Sequence, residues 1–197
     1  ILNFKNSKGI KMKKLLNKLM FMMLISSCML ASEEVMLLDT SGSLDNPQMI
    51  KEIKKLAKRY LAQGKSIIAF NDDSYPVKSI DDLSFGGGTA TAKALEVILN
   101  TNYRYVVIVT DGDSDDDAAT IKQANLLKAR GTKICSVFLT STGASIPDTL
   151  SKISDKVFLS KNVAGAFSMC TSSKIRDQIL GKSAVVKIVD NSRFNLF

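Results

Sequence analysis

From residue 34 to about residue 180, short apolar runs alternate with segments whose apolar residues recur at helical spacing. This alternation constrains the fold more than any other feature. A strand that is apolar at nearly every position must be covered on both faces, and a sheet of such strands is mostly parallel. The runs are "EVMLLD" (34–39), "SIIAF" (66–70), "YRYVVIVT" (103–110), "KICSVFLT" (133–140) and "VFLS" (157–160). A sixth, "YPVKSI" (75–80), contains a proline and is expected at a sheet edge.

The intervening segments read as helices. Asp45 or Asn46 can cap a helix that starts at Pro47, and Ile50, Ile53, Leu56, Ala57, Tyr60 and Leu61 fall on one face of it. Gly64 closes it. A second helix is expected from about Ala90 to Leu99. A third starts at Asp115–Asp117, carries Ala118, Ile121, Leu126 and Leu127 inward, and ends near Gly131. Ser145 to Ile153 and residues 163–180 complete the pattern. The expected fold is α/β and doubly wound, Rossmann-like, with a mostly parallel central sheet flanked by helices on both faces. One such domain spans 29–180, and 181–197 ("AVVKIV") is left as an extra strand or a tail.

The formal charge of +8 is unevenly placed. Residues 1–27 hold six lysines and no acid, and the rest of the chain is nearly neutral. No basic cluster of the kind a nucleic-acid partner requires stands out, so none is expected. Residues 1–28 instead read as a targeting segment: lysines, then the apolar run from Leu19 to Ile25, then small residues. The run is shorter than the about 20 residues needed to span a bilayer. "ISSC" (25–28) resembles a bacterial lipobox, which implies lipidation at Cys28, a membrane anchor and a cell-envelope location. Cleavage after Ala31 and a cytoplasmic chain with a later start are the alternatives. Of the other two cysteines, Cys135 sits in an apolar strand as a small hydrophobe and Cys170 lies in a helical pattern. A pairing cannot be deduced from their spacing, and the two are expected to remain free thiols.

The chain has no histidine, which removes imidazole from both acid–base chemistry and metal ligation. Oxygen ligands remain. "EVMLLD" runs into "DTSGS", so Asp39, Ser41 and Ser43 stand at a strand's carboxyl end, where open α/β sheets bind ligands. Thr89 follows "GGG" (86–88), and Asp111 ends "VVIVTDG". Two carboxylates and three hydroxyls form a hard donor set that suits Mg²⁺, with Mn²⁺ or Ca²⁺ as alternatives. Taken singly, the serines could be a cap and a turn. The glycines lack the lysine and spacing of a phosphate-binding loop. "DGDSDDD" (111–117) begins like an EF-hand, but Asp116 replaces the required glycine and Lys122 the bidentate glutamate. Its later acids read as a solvated helix start.

In this order and spacing, "DTSGS", "GGGT" and "VTDG" resemble a von Willebrand factor type A domain with a complete metal-ion-dependent adhesion site. The resemblance covers about residues 34–180. It implies that Asp39, Ser41, Ser43, Thr89 and Asp111 surround a divalent cation whose open position takes an Asp or Glu carboxylate from a protein partner. The implied role is non-enzymatic: adhesion or complex assembly at the envelope. The loops are short, without the insertions many adhesive members use as ligand surface. A cytosolic adaptor for an AAA-type ATPase is the alternative binding role. A metal-dependent phosphatase or phosphotransfer protein is the enzymatic one, with Asp39 as nucleophile. Against the latter, Ser41 stands where haloacid-dehalogenase-like enzymes carry a second aspartate, and no general base is apparent. Partner identity and oligomeric state are not legible.

Overall fold

The computed structural model describes residues 33–140, 145–161 and 163–181, without the side chains of 166 and 167. The segment expected to direct export, with Cys28, and residues 182–197 lie outside them.

Six strands form one sheet: β1 (Glu34–Asp39), β2 (Ser66–Phe70), β3 (Ser74–Val77), β4 (Tyr105–Thr110), β5 (Lys133–Leu139) and β6 (Lys156–Ser160). Their order is β3-β2-β1-β4-β5-β6, and every pairing is parallel except β2 with β3. Pro76 lies in β3, the antiparallel edge, where its missing N–H breaks no interior ladder. The third strand is thus Ser74–Val77, one residue earlier and shorter than expected. β4 begins at Tyr105 and not at 103.

The helices are α1 (Pro47–Leu61), α2 (Thr91–Leu99), α3 (Asp117–Ala129), α4 (Asp148–Ile153), α5 (Val163–Thr171) and α6 (Ser173–Ile179). Asn46 caps α1 by accepting from Met49 N at 2.8 Å, and Pro47 fills its first turn. Gly64, in the turn after α1, has φ 69°, which only glycine adopts without strain. The single helical region expected over 163–180 is two helices, divided at Ser172, whose hydroxyl accepts from Ile175 N. No helix among the described residues is long and apolar enough to cross a membrane.

Strand periodicity divides the core. Met36 and Leu38 of β1 point into one cluster with Ile53, Leu56 and Tyr60 of α1 and Val107 and Val109 of β4. Val35 and Leu37 point into the other with Ala94, Leu95 and Ile98 of α2 and Leu127 of α3. Both sides of the sheet are therefore covered. The buried face of α3 differs from expectation: Thr120, Ala124 and Leu127 are buried, Leu126 is 47% exposed, and Ala118 is also exposed. A sequence window containing adjacent leucines shows two possible stripes, and contact with α2 selects one.

Cys135 and Cys170 are joined by a disulfide, contrary to the expectation of free thiols. Cys135 lies on β5 facing the α1 side, and α5 crosses that face with Cys170 at a Cα–Cα distance of 5.8 Å. Both are fully buried. Beneath α1, the β1 carboxylate of Glu34 is 3% exposed and accepts from Tyr60 Oη at 2.7 Å and Lys65 Nζ at 2.8 Å. Arg176 of α6 reaches it at 3.5 Å. Tyr105 Oη donates to Cys170 O at 2.9 Å, so the α5–α6 arm is fastened to the sheet by polar as well as covalent links.

Candidate metal centre

The sheet order reverses between β1 and β4, which leaves a crevice outside their carboxyl ends. Asp39 ends β1 and Thr110 ends β4. Asp39 is fully buried. Its Oδ1 accepts from Ser41 N at 2.8 Å, and its Oδ2 from Thr110 Oγ1 at 2.5 Å. Burial pushes the Asp39 carboxyl up to about 6, against the lowering effect of its Thr110 and Ser41 hydrogen bonds; the nearby Asp111 charge adds to the rise.

Alternate residues of the loop turn in opposite directions. Thr40 N and Oγ1 both donate to Phe70 O on β2, at 2.9 and 3.2 Å. That frees Ser41 and Ser43 for the other side. Ser41 Oγ lies 3.1 Å from Ser43 Oγ, and Ser43 Oγ donates to Asp111 Oδ1 at 2.7 Å. Burial raises the Asp111 carboxyl as well, opposed by the Ser43 hydroxyl. Residues 68 apart in sequence thus share one hydrogen-bonded chain.

The glycine loop is laced to the first loop by two rungs, Gly42 N to Gly87 O and Gly86 N to Thr40 O, both 2.9 Å. Gly86 and Gly87 have φ of 123° and 79°, and a Cβ on Gly87 would collide with the Asp72 carboxylate. Gly88 N donates to Asp72 Oδ1 at 2.7 Å. Thr89 is held reciprocally: its N–H donates to Asp115 Oδ2 at 2.7 Å, and its carbonyl accepts from Asp115 N at 3.1 Å. A Cβ placed on Gly112 would lie 3.7 Å from Thr89 Oγ1, so this hydroxyl faces the β4 loop.

All five expected residues therefore lie on three interlocked loops at one crevice. Asp39, Ser41, Ser43 and Asp111 are linked by direct hydrogen bonds within their two loops, and Thr89 joins through Asp115 and the glycine rungs. Three supporting residues are not evident from the sequence. Thr110 reads there only as the end of a strand, Asp72 only as a loop acid, and Asp115 as part of a solvated helix start. Asp116 instead caps α3, accepting from Ala119 N at 2.9 Å. No local pattern separates Asp115 from Asp116 and Asp117; only the approach of the Thr89 loop does.

The donor set suits a hard cation. Every side-chain donor is an oxygen, and two carboxylates in one crevice are both raised by burial, a cost that a bound positive charge would offset. Among the described residues no group of three or more cysteines, aspartates or glutamates converges, so neither a thiolate site nor an acid-rich cage is present.

Comparison with solved structures places this architecture. Proximal thread matrix protein 1 from the mussel byssus superimposes with a TM-score of 0.59 at 17% identity, over 75% of this chain and 47% of that one. A form of that protein with a zinc-occupied MIDAS motif gives 0.58 at 17% identity. The manganese-loaded TRAP protein of Plasmodium vivax gives 0.52 at 14% identity, over 70% of this chain and 71% of that one. The fold is that of a von Willebrand factor type A domain. This chain spans about half the length of the mussel chains. No protein-family model matches the sequence, and neither does any curated protein.

Proposed function

We propose that this von Willebrand factor type A domain is a divalent-cation-dependent protein-binding module that captures an acidic side chain of its partner. The observation that carries the reading is the hydroxyl-and-carboxylate chain Ser41–Ser43–Asp111 beside the buried Asp39. Ser41, Ser43 and Thr89 would hold the cation through neutral hydroxyl oxygens, and Asp39 and Asp111 would balance its charge. Bound there, Mg²⁺, or Mn²⁺ or Ca²⁺, supplies an electrophilic position for an incoming carboxylate. The metal-loaded mussel and malarial relatives support a divalent ion at such a site and do not favour Mg²⁺ over the others.

The protein's own residues supply the rest. Thr110 and Ser41 N hold Asp39 in one orientation, and the Asp72 and Asp115 clamps keep the glycine loop against it. Both Asp39 oxygens are engaged inside the protein, which argues against the phosphotransfer alternative, since a nucleophile needs a free, exposed oxygen.

Lipidation at Cys28 would place the domain at the cell envelope. The Cys135–Cys170 disulfide supports an oxidising compartment and counts against the cytosolic adaptor role. The test is affinity capture of partners with and without a chelator. Partners should be released by EDTA, restored by Mg²⁺ or Mn²⁺, and lost in Thr89→Ala. Retention in EDTA and by Asp39→Ala would overturn the metal-dependent mechanism. Separately, Cys28→Ser should leave the protein unprocessed or make it extractable from membranes by high salt; wild-type protein confined to the cytosol with residues 12–27 intact would refute export.

A further inference from the structure

The parallel topology sorts charge along the strand direction. Helices α1 to α4 start at the end of the sheet that carries Asp39 and run toward the end where β1 begins. Asp72, Asp113, Asp115, Asp116 and Asp117 gather at the first end, in the loops leaving β2 and β4 and at the start of α3. The opposite end is basic. Lys58 and Arg59 lie in the last turn of α1, Lys128 and Arg130 close α3, Arg104 immediately precedes β4, and Lys156 begins β6.

None of these six pairs with a carboxylate among the described residues. Arg130 donates to the carbonyls of Leu99 and Thr101, and Lys128 to that of Lys152, which leaves their charges unbalanced. Acids at this end are engaged elsewhere: Glu34 with Lys65 and Arg176, and Asp155 with Lys133. Glu33, and Asp177 beside Arg176, offset two charges. Helix dipoles account for bases at the ends of α1 and α3. They do not account for Arg104 or Lys156, which lead into strands. Lys58, Arg59, Arg104 and Arg130 are all exposed.

The chain also enters the domain at this end, because Glu33 precedes β1. Were Cys28 lipidated, residues 29–33 would form the whole connection, and five residues reach at most about 18 Å. The basic end could not then stray far from a membrane surface, where each basic residue strengthens binding to anionic lipid about fivefold.

We propose that the basic end, around Lys58, Arg59, Arg104 and Arg130, docks on the anionic phosphate headgroups of a bilayer and turns the Asp39 crevice away from it. This rests on the membrane-attached half of the function proposed above and is independent of the metal half.

The test uses the full chain carrying Cys28→Ser, so that no lipid chain contributes. Its partition onto phosphatidylglycerol–phosphatidylcholine vesicles is compared with that of the same chain carrying Lys58→Gln, Arg59→Gln and Arg104→Gln. The N-terminal lysines are common to both, so the difference reports the domain. The triple variant should bind at least about tenfold more weakly at low salt, and added salt should shrink the gap.

The absence of tryptophan provides an orientation probe in the otherwise unchanged chain. Brominated lipid should quench Asn102→Trp, at the basic end, and spare Asp113→Trp, at the other. Equal vesicle binding by the triple variant and its parent, or equal quenching of the two tryptophans, would overturn the proposal. So would binding to duplex DNA as tight as to the anionic vesicles with the same loss in the triple variant. The rise in melting temperature with Mg²⁺ is read in parallel. Lost docking with that rise intact counts against the orientation alone, and a missing rise with docking intact counts against the metal reading alone.

Discussion

At Asp115 a single carboxylate determines where Thr89 sits. Its Oδ2 accepts the Thr89 N–H at 2.7 Å while Asp117, two residues on, merely opens a helix. Asp115→Ala should therefore cost about 1–3 kcal/mol of stability, as loss of a charged partner to a partly buried N–H does. It should also diminish the cation-induced rise in melting temperature. Asp117→Ala should change stability by no more than about 1 kcal/mol, the range of a helix-dipole contribution, and leave that rise intact. Equal effects of the two in a thermal titration would show that the clamp does not matter. Gly87→Ala tests the neighbouring constraint. A residue at φ 79° whose Cβ strikes Asp72 must displace either the backbone or that carboxylate. A loss of about 1–3 kcal/mol is expected, with weakened cation binding. Gly64→Ala, where nothing lies within 4 Å of the added Cβ, should cost only the positive-φ strain of about 1–2 kcal/mol and leave the site unaffected.

Among the elements, α5 depends most on long-range links. It is short, is interrupted at Ser172, and is held to β5 by a disulfide closing a loop of sequence separation 35. For a loop of that length the chain-entropy relation gives about 3–4 kcal/mol. Cys135→Ala with Cys170→Ala, or reduction in mild denaturant, should lower stability by up to that amount, measured as a lower denaturation midpoint with a somewhat steeper slope, because the uncrosslinked unfolded chain exposes more surface. Cation binding should persist, because the disulfide joins β5 to α5 and none of the five site residues lies on either element. By contrast α1 is specified locally: cap, proline and apolar stripe coincide. Asn46→Ala should cost about 1 kcal/mol, the usual value of a lost N-cap.

For the whole molecule, cation binding and folding are linked by mass action. A cation at a hundredfold excess over its dissociation constant should add about 2.7 kcal/mol to the unfolding free energy. Asp39→Ala should remove that increment. A melting temperature indifferent to millimolar Mg²⁺, Mn²⁺ and Ca²⁺ would be incompatible with a metal centre here. The same scale contains the charge polarity that carries the membrane-docking proposal, since it exists only once every strand and helix has been oriented.

What the sequence by itself determined is what short-range periodicity can encode. Runs such as "EVMLLD" and "SIIAF" are buried strands because no solvent-facing alternation is possible in them, and their boundaries match β1 and β2. The placing of Asp39, Ser41, Ser43 and Asp111 at strand ends followed from the same runs; Thr89, expected at a strand end too, instead stands in the glycine loop just before α2, and the structure brings all three loops to one crevice. Only the tertiary structure decided the relations between distant segments. Cys135 meets Cys170 because α5 folds back over β5, Leu127 is buried and Leu126 is not because α2 chooses the stripe, and Asp115 is a clamp because the Thr89 loop arrives beside it. The physical reason is common to all three. Backbone conformation answers to neighbours a few residues away, whereas a side chain's partner is fixed by which surfaces the parallel crossovers bring together.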